Sequence, residues 1–269
     1  MCVKERLGNT YICSSDDYLL NNPFEAYVWK AFYSAQYAEG ATKEWCIQTG
    51  AMDRITNVTI GGSNAWYMLG HVYFDRAFSL AFKQILEAEY NKPETADKLW
   101  EDLYIEHIKE LDMVIKKYPE GEINEFDSLD ELRVFDPHFI ENVDSDIFDN
   151  IEQVLGCSKS EIHDVYPLKQ GLTNLSCLAA GLSSRFAPIS YEKPKGLLKV
   201  RGEILVERQI RQLQDAGISN ITVVVGYKKE YFFYLESKFG VSIVVNNEYA
   251  SKNNHASLMC VKERLGNTY

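Results

Sequence analysis

A small-residue turn followed by two cations is the stretch of this sequence best suited to hold phosphate groups. Leu178-Ala179-Ala180-Gly181 ends an apolar run, and its small side chains let the backbone approach a bulky ligand. Residues 181–184 can then present N–H groups to phosphate oxygens in a turn that leads towards a helix. Arg185 adds a planar fork for phosphate, and Lys195 adds a point charge. The alternative is an ordinary glycine turn with two solvated cations.

A second feature is an acidic pair that follows a short apolar strand. Residues 10–13 predict the strand, which delivers Asp16 and Asp17 to its carboxyl end, where open α/β sheets bind ligands. A carboxylate there can hold Mg²⁺ together with phosphate and water. The alternative is a solvated turn, because Asp is a common turn residue.

The first half of the chain carries the patterns of a mixed sheet and two helices. Residues 31–73 alternate short β-like runs with turns. Residues 75–92 carry apolar side chains at helical spacing, and Pro93 ends that helix. Residues 94–110 predict a second helix, whose acid-rich start suits the positive end of its dipole. Asp127 opens a sequence that indicates a helix N-terminus with a capping pattern.

The second half carries the patterns of a parallel sheet covered by helices. Residues 139–156 predict one amphipathic helix, and residues 197–217 predict strand, turn and helix, with Gly217 as the helix end. The apolar runs 221–227 and 241–247 predict strands buried on both faces.

The composition restricts the class of protein. The 269 residues are 46% hydrophobic and 25% charged, as in a globular protein with a real core. No apolar run reaches the roughly 20 residues that span a bilayer, so we expect no membrane segment. The net charge of −11 argues against a nucleic-acid surface. Six cysteines without paired metal-ligand spacing fit reduced thiols, and we expect a cytoplasmic protein.

The motifs Leu178–Gly181, Arg185-Phe186-Ala187-Pro188 and Pro194-Lys195-Gly196-Leu197 resemble the signature of the sugar-phosphate-type nucleotidyltransferases. The variant looks most like the bacterial CTP:phosphocholine cytidylyltransferases, and the resemblance spans the bulk of the chain. It implies an α/β, Rossmann-like nucleotidyltransferase fold. That fold has a mainly parallel mixed sheet flanked by helices and a small β-rich acceptor lobe.

The same resemblance implies roles for residues on both sides of the reaction. Asp16 and Asp127 match the metal-binding aspartates and would hold Mg²⁺, although Ser14 stands where the family often has a different small or acidic residue. Lys195 would stabilise the α-phosphate, and Arg185 would hold the pyrophosphate. The implied nucleotide contacts are Leu178, Ala179, Ala180, Gly181, Ser183, Ser184, Gly226, Tyr249, Asn254 and Ser257. For Asn254 and Ser257, plain capping of the following helix is the alternative.

A quaternary ammonium is bound by aromatic faces with a carboxylate nearby. By resemblance, the choline-side positions are Trp45, Asp97, Trp100 and Glu101. Leu99 stands where relatives can carry an aromatic residue, which weakens the expected cage. The alternative is that the tryptophans belong to the core.

The stretch MCVKERLGNTY occurs twice, at residues 1–11 and 259–269. Read from 178 to the end and then from 12 onwards, the sequence runs in the order of the resembled family. We interpret this as a circular permutation, or as a rearrangement of the chain. One copy would fill the native position, and the other would pack elsewhere or swap into a neighbouring chain, giving a homodimer.

These patterns predict three segments. Residues 1–138 are the acceptor-side half of the nucleotidyltransferase domain and residues 178–269 its nucleotide-binding half. Residues 139–177 form a helical linker whose KQGLTN resembles the start of a choline kinase domain, without a kinase catalytic loop.

We predict an enzyme that transfers a cytidylyl group from CTP to phosphocholine, giving CDP-choline and pyrophosphate with Mg²⁺. One alternative is another acceptor, such as a sugar 1-phosphate or another amino-alcohol phosphate. The other is a catalytically silent, domain-swapped module.

Overall fold

The structure is a computed structural model that describes residues 9–162, 186–187 and 189–265. The strands are β1 Thr10–Ile12, β2 Tyr18–Leu19, β3 Phe32–Thr49, β4 Ile55–Phe74, β5 Val114–Lys117, β6 Ile123–Asn124, β7 Lys199–Val200, β8 Glu203–Ile204, β9 Thr222–Val225 and β10 Ser242–Val245. The α-helices are α1 Arg76–Glu89, α2 Trp100–Glu106, α3 Leu129–Phe135, α4 His138–Glu141, α5 Asp146–Leu155, α6 Leu205–Asp215, α7 Tyr234–Phe239 and α8 His255–Cys260.

The α/β class predicted from the sequence is confirmed, and the central sheet is mixed, but it is not mainly parallel as expected. Four strands lie in the order β1-β4-β3-β5, with β1 and β3 antiparallel to β4 and only β5 parallel to β3. β9 and β10 form a separate parallel pair, as the apolar runs near the end of the chain predicted, but most of their residues are half-buried rather than covered on both faces. Helices flank these sheets.

The region predicted as several short β runs folds as two long strands instead. β3 and β4 pair from Phe32 and Tyr73 to Thr49 and Ile55, with several register shifts along the way. Such bulges absorb the irregular residues that the sequence pattern indicated as turns.

α1 confirms the predicted helix after residue 75. The Asp75 carboxylate accepts a hydrogen bond from the Phe78 N–H at 2.8 Å and so caps the helix. Phe78, Phe82 and Leu86 recur at four-residue spacing and are buried against the sheet. The helical spacing of apolar residues thus predicted both the helix and the face that it buries.

The helix predicted over residues 94–110 is shorter than expected. Residues 93–95 form a 3-10 turn, and Leu99 has extended backbone angles, so α2 begins only at Trp100. The Asp102 carboxylate accepts from the Leu99 N–H at 2.7 Å, which fixes this start. The acidic residues of this stretch therefore lie partly in a turn and partly in the cap of α2, and they do not form one continuous helix.

The amphipathic helix predicted over residues 139–156 is also divided. α4 and α5 are separated by a break at which the Ser145 hydroxyl accepts from the Phe148 N–H at 3.2 Å. Phe139 and Phe148 are buried in a core shared with Phe186 and Leu205. The part of this segment that the structure describes, up to residue 162, therefore contributes to the core of the following half.

The two copies of the repeated segment are described at different positions. Of the first copy, residues 9–11 lead into and form β1, whereas residues 259–265 of the second belong to α8 and the turn after it. The remaining residues of both copies lie outside the described part of the chain. Among the described residues, no helix has the length and apolarity needed to cross a membrane.

Candidate functional site

A cavity of about 920 Å³ lies between the two halves of the sequence. It is lined by residues that the sequence predicted from both halves: Asp16, Trp100, Glu101, Asp127, Lys195, Asn254 and Ser257. The fold therefore brings these residues, distant along the chain, to one concave surface, which is the usual form of a small-molecule site.

An ion pair between Asp16 and Lys195 forms one end of this cavity. The Lys195 Nζ lies 2.9 Å from the Asp16 Oδ2, and the side chains are 8% and 21% exposed respectively. The Ser14 hydroxyl donates to the other oxygen of Asp16. The pair joins the loop after β1 to the 3-10 turn at residues 195–197, from opposite halves of the sequence.

Close backbone contact holds these two loops together. A Cβ added at Gly196 would meet the Ser15 Oγ at 2.7 Å and the Ser15 backbone oxygen at 3.1 Å, so the contact requires glycine. On the other side of the loop, Gln209 on α6 donates to the Ser14 carbonyl at 2.6 Å and to the Asp17 carbonyl at 3.0 Å. The loop that carries Asp16 is thus fixed by groups from the second half.

Opposing influences set the ionisation of Asp16. Burial acts to raise its pKa, but the Lys195 ammonium and the Ser14 hydroxyl outweigh burial and hold the pKa below its ordinary value. Asp16 is therefore a carboxylate at neutral pH.

Asp127 lines the same cavity just before α3. The Ser128 hydroxyl accepts from the Glu131 N–H at 3.2 Å, and the Glu131 carboxylate accepts from the Asp127 N–H at 2.6 Å. These two bonds form the helix cap that the sequence indicated, and they fix the backbone of Asp127 at the cavity wall.

Two further acids that the sequence did not select as site residues lie beside this end. Asp17 is 1% exposed, and neither of its carboxylate oxygens has a hydrogen-bond partner among the described residues. Burial, followed by the charges of Glu125 and Asp16, raises its pKa well above the ordinary value. For Glu125, loss of water contact within the cavity and the charge of Asp16 raise the pKa to about 7. The available signals were the acidic pair at 16–17 and the Glu-x-Asp spacing at 125–127.

The residues at this end fit a Mg²⁺ ion. Asp16 and Asp127 offer the hard oxygen ligands that Mg²⁺ prefers, and Asp17 places two buried carboxylate oxygens beside them without a protein donor. Within the described residues no group of three or more His, Cys, Asp or Glu side chains has the geometry of a metal site.

Three of the predicted nucleotide-side residues, Gly226, Tyr249 and Ser257, make close contacts in the described part of the chain. A Cβ at Gly226 would meet Tyr249 ring and Cβ atoms at 2.7 Å, so these two residues touch without a gap. Asn246 donates to the Ser257 hydroxyl at 3.2 Å at the start of α8. Ser257 lines the cavity, whereas Gly226 and Tyr249 are outside its lining.

The phosphate turn lies outside the described residues. This applies to Leu178, Ala179, Ala180, Gly181, Ser183, Ser184 and Arg185. Their predicted roles stay predictions.

Trp100 belongs to the hydrophobic core as well as to the cavity lining. It is 4% exposed, and its ring stacks on Tyr33 with centroids 5.8 Å apart. Its edges meet Phe74 and Phe82, with centroids 5.2 and 5.9 Å away. The ring is thus fixed by core packing, which was the alternative interpretation of the tryptophans.

Trp45 and Asp97 do not join Trp100 at the cavity wall. Trp45 lies on β3, half-buried against the same core, and neither residue is part of the cavity lining. The backbone oxygen of Asp97 accepts a hydrogen bond from the Asn253 side chain at 3.2 Å. Their side-chain roles at an acceptor stay predictions.

Glu101 places a further carboxylate in the lining of the same cavity. Its Oε1 accepts from the Tyr33 hydroxyl at 3.3 Å, and its Oε2 accepts from the Asn254 amide at 3.1 Å. Burial raises the pKa of Glu101 to about 7, against the opposing effect of these donors. This carboxylate has neutral partners, and so it can attract a cationic group of a ligand.

The second half of the chain is similar in sequence to known proteins. Residues 177–268 match the family described as the MobA-like NTP transferase domain. The chain is 48% identical over 92 residues to the choline-phosphate cytidylyltransferase of Streptococcus pneumoniae, over 34% of this chain and 40% of that protein. It is 46% identical over 94 residues to the 2-aminoethylphosphonate cytidylyltransferase of Lancefieldella rimae, over 35% and 38% of the two chains.

A solved structure of the CTP:phosphocholine cytidylyltransferase from Streptococcus pneumoniae is also similar. It shares 26% identity and a TM-score of 0.45, over 49% of this chain and 58% of that one. The chain spans about two fifths of the length of the curated relatives it matches. Lys195 and Asn254 lie inside the family match, whereas Asp16, Glu101 and Asp127 lie outside it. Residues 177–268 are thus similar in sequence to the MobA-like NTP transferase domain and to cytidylyltransferases, over about a third of this chain.

Proposed function

We propose that this protein transfers a cytidylyl group from CTP to a small phosphorylated acceptor that carries a positive charge, with phosphocholine as the first candidate. The observation that supports this most is the shared cavity of Asp16, Asp127 and Lys195 with Glu101. Asp16, Asp127 and Lys195 supply the charges for phosphate chemistry, and Glu101 supplies a carboxylate for a cation.

The reaction follows from charge and position. An acceptor phosphate oxygen attacks the α-phosphorus of CTP, the bond from that phosphorus to the bridging oxygen breaks, and pyrophosphate leaves. The Lys195 ammonium exchanges its contact with Asp16 for the α-phosphate and neutralises charge that develops there. No covalent intermediate on the protein is needed, because the acceptor oxygen is already nucleophilic. Catalysis then rests on positioning and charge neutralisation.

Asp16 and Asp127 would hold Mg²⁺ beside this point. When bound, Mg²⁺ supplies positive charge that neutralises the phosphates. Arg185 and the turn at residues 178–184 would hold the nucleotide, together with Gly226, Tyr249 and Ser257; these assignments rest on the family resemblance.

The acidic groups near Tyr33 favour a cationic acceptor over a sugar phosphate. Tyr33 lines the cavity, its hydroxyl donates to Glu101, and Glu125 and Asp17 are also close enough to act on it. An aromatic face with carboxylates nearby attracts an ammonium group. The names of the two curated relatives, choline-phosphate and 2-aminoethylphosphonate cytidylyltransferase, support an acceptor of this class. Trp45 and Asp97 remain proposals from the resemblance.

A pyrophosphate-release assay tests the proposal. The protein is given CTP and Mg²⁺ with phosphocholine, phosphoethanolamine, 2-aminoethylphosphonate or glucose 1-phosphate. We expect release with the amine-bearing acceptors and little with glucose 1-phosphate. Faster release with glucose 1-phosphate would overturn the acceptor class, and no release with any acceptor would overturn the activity.

Two points about the chain are also proposals. The circular permutation rests on the repeated segment, and the kinase-like start at residues 169–174 rests on resemblance alone. A swapped homodimer through the spare copy would appear as a doubled mass in light scattering, and removal of residues 1–8 would return it to a monomer.

A further inference from the structure

Three consecutive residues before and at the start of α8 bind a continuous stretch of backbone in the other half of the chain. The Asn253 N–H donates to the Ala96 carbonyl at 3.2 Å, and its side-chain amide donates to the Asp97 carbonyl at 3.2 Å. His255 Nδ1 lies 2.6 Å from the Lys98 carbonyl. Residues 253–255, here named the clasp, therefore meet three successive carbonyls of the segment that leads into α2.

Asn254 continues this series onto the helix itself. Its side-chain oxygen accepts from the Trp100 N–H at 2.7 Å, and its side-chain nitrogen donates to the Glu101 carboxylate at 3.1 Å. The Trp100 N–H belongs to the first turn of α2, which has no partner within its own helix. Both ends of the Asn254 amide are thus used on α2, and neither is left for a base or ribose without breaking these bonds.

His255 makes the clasp a buried and specific contact. It is 0% exposed, and because a carbonyl only accepts, its Nδ1 must carry the proton. Its Nε2 is buried with no hydrogen-bond partner among the described residues. Burial lowers the pKa of His255, so the ring stays neutral with a defined tautomer. The ring also meets Tyr90 edge-on, with centroids 5.7 Å apart.

The clasp acts on the Glu101 carboxylate, which lines the cavity. Glu101 follows Trp100 directly, and its two oxygens are held by Asn254 and by Tyr33. A carboxylate with both oxygens held in this way keeps one orientation, and orientation of a charged group determines how well it meets a ligand cation.

We propose that Asn254 is a positioning residue of the acceptor site, through which the nucleotide-side half of the chain fixes the start of α2 and the direction of the Glu101 carboxylate. This inference rests on the proposed function for the identity of the acceptor. The contact itself does not depend on it. The sequence assigned Asn254 to the nucleotide instead, so the two assignments predict different effects of the same substitution.

Two variants test the two side-chain hydrogen bonds of Asn254, to Trp100 and to Glu101. Asn254→Asp keeps the oxygen that accepts from Trp100 but replaces the donor to Glu101 with a like charge. Asn254→Ala removes both bonds. Asn57→Asp is the matched control, because Asn57 is exposed on β4 and, among the described residues, its side-chain amide donates only to Gln48, at 3.3 Å.

The measurements are calorimetric binding of CTP and of phosphocholine, and amide hydrogen exchange over residues 95–104. We expect Asn254→Asp to weaken phosphocholine binding at least tenfold, to change CTP binding less than twofold, and to keep the Trp100 amide protected. We expect Asn254→Ala to speed exchange of that amide at least tenfold. Asn57→Asp should match the unsubstituted protein in all three measurements.

Three results would overturn the inference: unchanged phosphocholine binding in Asn254→Asp, an equal loss of CTP and phosphocholine binding, or unchanged Trp100 exchange in Asn254→Ala. If the unsubstituted protein binds CTP but no amine-bearing acceptor, the proposed acceptor class is wrong. Amide exchange at Trp100 then still decides whether the clasp positions α2.

Discussion

The region around Asp16 and the region around Glu101 hold their carboxylates in different ways. Asp16 is paired with the Lys195 ammonium, which holds its pKa below the ordinary value. Glu101 has only neutral donors, and burial raises its pKa to about 7. Within one cavity, therefore, an internal cation fixes one acid as a carboxylate, while the other still lacks a positive partner. A site that takes both a phosphate and an acceptor cation would require this difference.

The largest effect should come from removing the charge pair. Lys195→Ala and Asp16→Ala should each reduce turnover about 100- to 1,000-fold, because each removes a charge that stabilises the reacting phosphates. Steady-state rates with CTP and phosphocholine measure this, and circular dichroism checks that the fold survives. Lys193→Ala is the control, because the ion pair that Lys193 makes among the described residues is with the exposed Asp144. Near-normal rates in Lys195→Ala or Asp16→Ala would contradict the proposed role of that residue at the reacting phosphates.

Core packing around Trp100, next to Glu101, should make a large contribution to the stability of the fold. Trp100→Ala should lower the free energy of unfolding by about 3–5 kcal/mol, because the ring fills a core space between Tyr33, Phe74 and Phe82. Chemical denaturation gives this value directly. Trp29→Ala is the comparison, since Trp29 is 85% exposed and its loss should change stability little. Equal stability of both variants would mean that Trp100 is not a core residue.

The smallest expected effect is the pH dependence of phosphocholine binding, which distinguishes Glu101 from Asp16. Because the pKa of Glu101 is raised to about 7, the group loses its negative charge as the pH falls through that value. Phosphocholine binding should therefore weaken about tenfold between pH 8 and pH 6, where the ionised fraction falls by about that factor.

Glu101→Gln provides the control for this prediction. It should bind phosphocholine weakly at every pH and remove the difference between pH 8 and pH 6, leaving only the titration of the substrate itself. An unchanged pH profile in this variant would assign the titration to another group, such as Glu125, whose pKa is also raised to about 7.

The sequence determined much of the local structure. Apolar spacing predicted α1, the apolar runs predicted the parallel pair β9 and β10, and Gly217 marked the end of α6 with a φ of 84°. These features follow from side-chain periodicity and from backbone freedom at glycine, both of which are local. The motif around Lys195 likewise indicated the family that the comparison supports over residues 177–268.

Only the tertiary structure decided which residues share a site. It brought Asp16 to Lys195, placed Glu125 and the buried Asp17 beside them, and gave the Asn254 amide to α2. None of these contacts is encoded by spacing along the chain, because each joins segments more than a hundred residues apart or depends on burial. Burial and the distance between charges set the pKa of each acid, and both exist only once the chain has folded.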